Sequence, residues 1–405
     1  MVREITALPL AASITMGLTL SCCVVACSDR SASSQDDAGP STSEAAVVEP
    51  DVAFDVVPAD VSPRECRLAM QDGSVCACRE IGQRPPTLYL LLDRSGSMAD
   101  RPTGSARSKW SLVRSALLDR EIGALRKLGT RISLAMAWFP SPSPSSDVCE
   151  PGKQAFGPVW GSDEAYDALD AKLASATPRG GTPTAASLRR VANVVAALPK
   201  PVNVLLATDG APTCGSAPCG IDSCTYNLEH KSVGFISCDA STNCCDPAKT
   251  GDLASRGCAD VDASAAAAAA LVSAGAKVFV LGVPGTIPEY TAALDALAIA
   301  GGTPRDGTPR YYAVTEPTQE ALAGALSSIA AKVIDTCTVS LDAPVHDPGT
   351  TNVLLDGTLV ESDPVDGWRW TSPSTIELAG AACARIHEGT VTRIQVIVGC
   401  RTVAR

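Results

Sequence analysis

The residues with the clearest potential for chemistry lie in the stretch YLLLDRSGSMAD, at positions 89–100. Asp93, Ser95 and Ser97 are oxygen donors that follow an apolar run at alternate positions. Side chains at alternate positions of extended backbone point to the same side. Because grouped oxygen donors suit a hard cation, this spacing predicts a cation site just beyond the end of a strand.

Two further groups of polar residues are candidates for the same site. Thr182 lies in the turn GGTPT, which precedes a helical pattern, and Asp209 lies in the TDG that ends the apolar run VNVLLA. In open α/β sheets, ligands bind beyond the carboxyl ends of the strands. We therefore expect both residues at the same edge of the sheet as the first motif.

The elements that must position these residues alternate between strand and helix from residue 87 onward. The runs TLYLLLD, RISLAMAWF, VNVLLATDG, KVFVLGV and RYYAV predict strands. Helical patterns separate them, among them a helix capped by Ser162 and one with an alanine run at 265–270. This alternation predicts an α/β fold with a doubly wound, mostly parallel, Rossmann-like sheet.

The three motifs, in this order, resemble those of a von Willebrand factor type A (VWA) domain, and the resemblance covers residues 87–335. It implies a metal-ion-dependent adhesion site (MIDAS) formed by Asp93, Ser95, Ser97, Thr182 and Asp209. It also implies a divalent cation, with Mg²⁺ favoured and Mn²⁺ or Ca²⁺ as alternatives. A protein partner would complete the coordination of that ion with a carboxylate, so we expect adhesion or protein binding rather than catalysis.

Composition and the absence of certain motifs argue against several other classes of function. The net charge of −11 argues against a nucleic-acid partner, because affinity for phosphates is built from clustered Lys and Arg. Only three histidines are present, and no GxSxG motif marks a serine hydrolase. Two alternatives stay open: a thiol oxidoreductase that uses Cys76 and Cys78, and a purely structural, disulfide-rich envelope protein.

The N-terminus predicts export to the cell envelope. Residues 1–26 contain a largely apolar run, and VVAC at 24–27 resembles a bacterial lipobox, so we expect a cleaved lipoprotein signal peptide with the lipid on Cys27. A transmembrane anchor is the alternative. Ser28 after the cysteine resembles lipoproteins of the outer membrane. Residues 27–63 are rich in Ser, Asp, Ala and Pro and predict a disordered tether.

The remaining cysteines predict a disulfide framework, with zinc binding as the minor alternative. Fourteen of the seventeen cysteines lie beyond the lipidation site Cys27, and an even number is expected of disulfides formed after export. Seven of them crowd into residues 214–258, so at least one of these pairs outside that segment or stays free. The disulfide candidates are Cys66, Cys76, Cys78, Cys149, Cys214, Cys219, Cys224, Cys238, Cys244, Cys245, Cys258, Cys337, Cys383 and Cys400.

Three segments fall outside the plain VWA pattern. Residues 64–86 form a cysteine-bearing lead-in. Residues 214–258 form a cysteine-rich insertion, which either helps to select the binding partner or is a rigid surface loop that does not contact the partner. Residues 337–405 predict a small all-β module, with an Asp-Gly hairpin in LLDGTLV and alternating apolar residues in TRIQVIV. Its Trp368 and Trp370 are expected in the core, with carbohydrate binding as the alternative.

Overall fold

The computed structural model describes residues 64–404, apart from 70–72, 74, 84, 142–147, 200, 335–336, 388–389 and 392. The expected signal peptide (1–26), the lipidation site Cys27 and the tether (27–63) lie outside the described residues. None of the helices within these ranges has the length and apolar character needed to cross a membrane.

The described strands, in chain order, are β1 (Arg64–Ala69), β2 (Val75–Ile81), β3 (Thr87–Asp93), β4 (Ser133–Phe139), β5 (Lys153–Trp160), β6 (Val202–Thr208), β7 (Ser232–Val233), β8 (Ile236–Ser237), β9 (Ala276–Gly282), β10 (Tyr312–Ala313), β11 (Thr338–Ser340), β12 (Thr351–Leu355), β13 (Thr358–Val360), β14 (Trp368–Ser372), β15 (Thr375–Leu378) and β16 (Ile394–Val398). The described α-helices are α1 (Lys109–Leu118), α2 (Asp163–Ala174), α3 (Thr184–Ala197), α4 (Thr225–Leu228), α5 (Pro247–Thr250), α6 (Val261–Ser273), α7 (Thr291–Ala300), α8 (Gln319–Ile334) and α9 (Gly380–His387).

Six strands form the central sheet, in the order β10-β9-β6-β3-β4-β5. Neighbouring strands are parallel except for the edge strand β5, which runs antiparallel to β4. The predicted α/β fold with a mostly parallel sheet is confirmed. β5 was not predicted, because Gly157 and Pro158 interrupt its pattern; a proline is tolerated there since an edge strand leaves one side unpaired.

Helices cover both faces of this sheet, as a doubly wound fold requires. Leu90 and Leu92 of β3 pack into one apolar layer with α1, α2 and α8. Tyr89 and Leu91 pack into the opposite layer with α3, α6 and α7. Each fully buried leucine contributes about 1.5–3 kcal/mol to folding, so β3 is fixed from both sides and its carboxyl end is a rigid platform.

The insertion between β6 and α6 is held together by its cysteines. It contains only short elements, namely α4, α5, the hairpin of β7 and β8, and three 3-10 turns. Three disulfides close within it, and their buried sulfurs form most of its core. These bonds are Cys219–Cys258, Cys224–Cys245 and Cys238–Cys244.

All fourteen disulfide candidates are paired, so none of them is left as a free thiolate for the zinc alternative. Cys214 is the member of the insertion that pairs outside it, with Cys149. The sulfurs of Cys219, Cys245 and Cys258 lie together as metal ligands could, but each is already bonded in a disulfide. The other three bonds are Cys66–Cys78, Cys76–Cys400 and Cys337–Cys383. Cys76 and Cys78 therefore serve two different disulfides rather than one dithiol pair.

The lead-in and the C-terminal segment, which the sequence suggests as separate parts, share one sheet. Its order is β1-β2-β16-β12-β13, with β2 antiparallel to β16. A second sheet, β11-β15-β14, packs with it around Trp368, which is fully buried. The expectation of an all-β module holds only in part, because the two-turn helix α9 also contributes to this core.

Two local expectations for this module agree with the structure. The Asp-Gly turn joins β12 to β13, with positive φ at Asp356 and Gly357 (50° and 79°), as a two-residue hairpin turn requires. Trp370 lies edge-on to Trp368, with ring centroids 6.1 Å apart, and is half-buried against the same core.

Replacement of Trp368 by alanine is expected to lower the free energy of unfolding by about 3–5 kcal/mol, because it empties the centre of the module. Trp160→Ala is the control, since Trp160 is 38% exposed on the edge strand β5. Denaturant unfolding followed by circular dichroism measures both. Equal losses in the two variants would contradict the core assignment.

Candidate metal site

Asp93 is the last residue of β3, and its carboxylate is completely buried. Its Oδ2 accepts a hydrogen bond from the hydroxyl of Thr208 at 2.6 Å, and its Oδ1 accepts one from the backbone N–H of Ser95 at 2.8 Å. Thr208 ends the neighbouring strand β6. The carboxylate therefore joins the ends of two parallel strands at the carboxyl edge of the sheet.

The two serines and Asp209 form a continuous group of oxygen atoms beside it. Ser95 Oγ lies 3.1 Å from Ser97 Oγ, and Ser97 Oγ donates to Asp209 Oδ1 at 2.9 Å. A short 3-10 turn, Gly96–Ala99, carries Ser97, and its buried Met98 fixes the turn against the core. The structure thus brings Asp93, Ser95, Ser97 and Asp209 together.

Thr182 reaches this group through its backbone connections. The N–H of Gly96 donates to the carbonyl of Gly180 at 3.0 Å, which joins the serine turn to the GGTPT turn. The N–H of Thr182 donates to Thr213 Oγ1 at 2.9 Å, and the N–H of Thr213 donates back to the Thr182 carbonyl at 2.9 Å. Thr213 follows Asp209 by four residues, so the three motifs form one hydrogen-bonded rim.

Arg94, which the sequence does not single out, fastens the loops around the site. Its buried guanidinium donates to the carbonyl of Pro140 at 3.2 and 2.7 Å and to that of Thr177 at 2.7 Å. The N–H of Arg179 donates to the carbonyl of Arg94 at 2.8 Å. A buried arginine whose hydrogen bonds all go to backbone carbonyls holds those segments in place. Here Arg94 holds the segment that leads into Gly180.

Lys109, the first residue of α1, is a second residue of the site that lies outside the three sequence motifs. Its Nζ lies 2.6 Å from Asp209 Oδ2, and both side chains are buried, at 9% and 1% exposure. No motif marks this lysine, because its role depends on where α1 begins relative to the end of β6. Its N–H donates to the carbonyl of Asp100 at 3.0 Å.

The charges of the site do not cancel. Burial, and then repulsion from Asp209, raise the pKa of Asp93 to about 7. Two buried carboxylates face one buried ammonium, so ionisation of both leaves a net negative charge that is costly away from water. A cation at the oxygen group would relieve this cost.

The donor set fits a small hard cation. Every side chain of the group offers oxygen, which Mg²⁺, Mn²⁺ and Ca²⁺ prefer, and Mg²⁺ is bound by few carboxylates with water retained. The residues that would hold it are Asp93, Ser95, Ser97, Thr182 and Asp209. Such an ion supplies a positive centre to which an anionic group can bind.

The cysteine-rich insertion adjoins this rim on two sides. The Cys149–Cys214 disulfide lies against the GGTPT turn, because a Cβ at Gly181 would come within 2.9 Å of Cys214 Sγ. The hydroxyl of Tyr290 donates to Glu229 of the insertion at 2.5 Å, and the Tyr290 ring lies against Gly210. The insertion therefore borders the oxygen group, as expected from its place after β6.

No protein-family model matches this chain, and no curated protein matches it in sequence. Among solved structures, it is similar to a point mutant of the PilB minor pilin from Streptococcus sanguinis, with 18% identity, 62% of each chain covered and a TM-score of 0.41. It is also similar to the vWF domain of the type V pili tip protein Mfa5 from Porphyromonas gingivalis, with 14% identity, 62% of this chain and 96% of that chain covered and a TM-score of 0.38. For the manganese-loaded TRAP protein of Plasmodium vivax, identity is 15%, coverage is 65% and 78%, and the TM-score is 0.30. The chain spans 62% of the length of the pilin.

The metal-free protein is expected to lose stability as the pH rises through about 7. The folded pKa of Asp93 lies above its ordinary value of 3.8. The contribution of protonated Asp93 to the free energy of unfolding is therefore fully present below about pH 4 and is lost as the pH rises through the folded pKa. Melting temperatures in EDTA at about pH 5 and 7.5 should differ more in wild type than in Asp93→Asn. An identical pH dependence in that variant would contradict this prediction.

Gly180→Ala is expected to cost about 1–3 kcal/mol of stability and to weaken cation binding. Gly180 has a φ of +89°, and a Cβ there would lie 2.7 Å from Pro140 Cγ and 3.0 Å from the Val148 carbonyl. Because the Gly180 carbonyl accepts from Gly96, the strain displaces the serine turn. Gly324→Ala on α8, where a Cβ meets nothing within 4 Å, is the control and should be neutral or stabilising. Thermal melts with and without Mg²⁺ measure both; unchanged cation binding in Gly180→Ala would contradict the coupling.

Proposed function

We propose that this chain is a cell-envelope binding protein with a VWA-type domain, whose MIDAS-like site holds a divalent cation. The observation that carries the proposal is the convergence of Asp93, Ser95, Ser97 and Asp209 at the carboxyl edge of a parallel sheet, with an uncompensated buried negative charge. Mg²⁺ is the favoured ion, with Mn²⁺ and Ca²⁺ as alternatives.

The ligand in this proposal is a protein that offers a carboxylate. A cation held by few protein carboxylates keeps coordination positions for other ligands, and an anionic group is the natural occupant of one of them. The cysteine-rich insertion supports this reading because it borders the site and is rigidified by three disulfides. A rigid surface beside the ion can favour one partner over another at low entropic cost.

Binding rather than catalysis is the activity that we propose. Cys76 and Cys78, the basis of the oxidoreductase alternative, are bonded to Cys400 and Cys66. The first of these disulfides joins β2 to the chain just after β16, and the second joins β2 to β1, so both hold the small module together. The structural alternative stays distinct from ours because it predicts that replacing the site residues changes no binding.

The cellular setting in this proposal is the outer surface of a membrane. We propose export by the signal at 1–26, lipid attachment at Cys27 and display of the folded part on the tether 27–63. Seven disulfides in the described residues support an oxidising compartment, and outer-membrane anchoring follows from the resemblance at Ser28.

Thermal unfolding with EDTA, Mg²⁺, Mn²⁺ or Ca²⁺ tests the cation site. A cation at 100 times its dissociation constant adds about 2.7 kcal/mol, which corresponds to roughly 5–11 °C for a domain of this size. Asp93→Ala should abolish the shift. The matched control is Asp170→Ala, which removes a carboxylate that pairs with Arg114 on the helical face of the domain.

Two outcomes contradict the proposal. One is the absence of a shift with every cation in wild type. The other is a shift of equal size in wild type and Asp93→Ala, because it would place the cation elsewhere on the protein.

A further inference from the structure

We propose that Lys109 is a fixed counter-charge that sets what the site prefers to bind: it weakens the binding of the cation and strengthens the binding of an anionic ligand to the loaded site. This inference rests on the proposed function and deepens it. It assigns Lys109 as a positioning and specificity residue that does not itself coordinate the ion.

The ammonium of Lys109 is held in place by the fold. α1 begins at this residue, and Ser108 caps the helix by accepting from the N–H of Ser111. The lysine side chain passes over Gly285, where an added Cβ would come within 3.0 Å of Lys109 Cε. Unlike a surface lysine, it is 9% exposed and has little freedom to leave Asp209.

Both oxygens of Asp209 are already partnered. Oδ2 carries the ion pair with Lys109 at 2.6 Å, and Oδ1 accepts from Ser97 at 2.9 Å. A cation that uses Asp209 must therefore share this carboxylate with an ammonium. Because like charges repel strongly in a buried site, Lys109 must reduce the affinity for the cation.

The same charge has the opposite effect on an anion. Asp93, Asp209 and a divalent cation together are electrically neutral, and Lys109 adds one positive charge to that assembly. A carboxylate that approaches the loaded site then meets a net positive field rather than a neutral one. Lys109 thus lowers the affinity of the site for the cation and raises the affinity of the loaded site for an anion.

A purely structural role makes a different prediction. If Lys109 served only to neutralise Asp209, its removal would loosen the site, and the affinities for cation and anion would fall together. Our proposal requires that they move in opposite directions. The sign of the two changes therefore separates the two roles.

The test compares two neutral variants with two controls. Lys109→Met removes the charge at similar volume, and Lys109→Gln removes it while keeping a hydrogen-bond donor, which preserves the fold if the methionine variant does not fold. Lys109→Arg retains the charge. Arg114→Met removes one positive charge from the same helix, where Arg114 pairs with Asp170 at 2.7 Å and not with Asp209.

The probes are Mn²⁺ alone and acetate. Free Mn²⁺ is followed by electron paramagnetic resonance, and acetate binding to the Mn²⁺-loaded protein is followed by the loss of water-proton relaxation enhancement. In both neutral variants we expect Mn²⁺ to bind about tenfold more tightly and acetate about tenfold more weakly, as the loss of a charge near the ion implies. Lys109→Arg and Arg114→Met should resemble wild type in both titrations.

Each outcome has a defined meaning. Affinities that fall together, or Mn²⁺ binding that is unchanged in the neutral variants, overturn the role of Lys109 and leave the cation site standing if Asp93→Ala still abolishes binding. Binding by the neutral variants but not by wild type supports the proposal, since Lys109 then outcompetes the ion. An absence of Mn²⁺ binding in wild type and both neutral variants overturns the inference and the proposed function together.

Discussion

The burial of two carboxylates at the ends of neighbouring parallel strands is the constraint on which the rest of the site depends. Asp93 ends β3, and Thr208, which precedes Asp209, ends β6; the two strands pair in parallel up to Leu92 and Ala207. Both side chains are buried in the protein, so each carboxylate depends on protein groups for its hydrogen bonds and its counter-charge. The backbone of Ser95 and the hydroxyls of Thr208 and Ser97 supply hydrogen bonds, and Lys109 supplies the one opposing charge.

The loops around the carboxylates are organised to keep these partners in place. Arg94, which follows β3, donates hydrogen bonds to the backbone carbonyl of Pro140, just after β4, and to that of Thr177, just after α2. These bonds hold the three segments together. Gly180 permits a close approach that a side chain would prevent, and the Cys149–Cys214 disulfide closes the outer side of the same turn. Precise placement of donors comes from such supporting contacts rather than from the donors themselves.

Much of the fold and the polar motifs could be predicted because each has a local signal. Continuous apolar runs marked the parallel strands, and Asp93, Ser95, Ser97 and Asp209 stood directly after them. Lys109 and Arg94 could not be found in this way, because basic residues at loop and helix boundaries are common and their roles depend on tertiary placement. The pattern of β5 does not predict a strand for a related reason, because an edge strand tolerates the glycine and proline that a central strand does not.

The pairing of β2 with β16 was also missed, although the sequence contained a usable signal. The lead-in has three cysteines and the C-terminal segment has three. Two odd numbers require a bond that leaves each segment, if all fourteen cysteines beyond Cys27 are to pair. The Cys76–Cys400 disulfide is that bond, with a sequence separation of 324 residues. Parity thus indicated a long-range contact that no periodic pattern could show.

This disulfide has a mechanical consequence. A pull on the chain ahead of residue 64 enters the folded part at β1, an edge strand that hydrogen bonds alone would release one after another. Cys66–Cys78 locks β1 to β2, and Cys76–Cys400 locks β2 to the end of β16. The load therefore passes through covalent bonds into the middle of the sheet, and the module can be stretched from its N-terminal side without being unzipped.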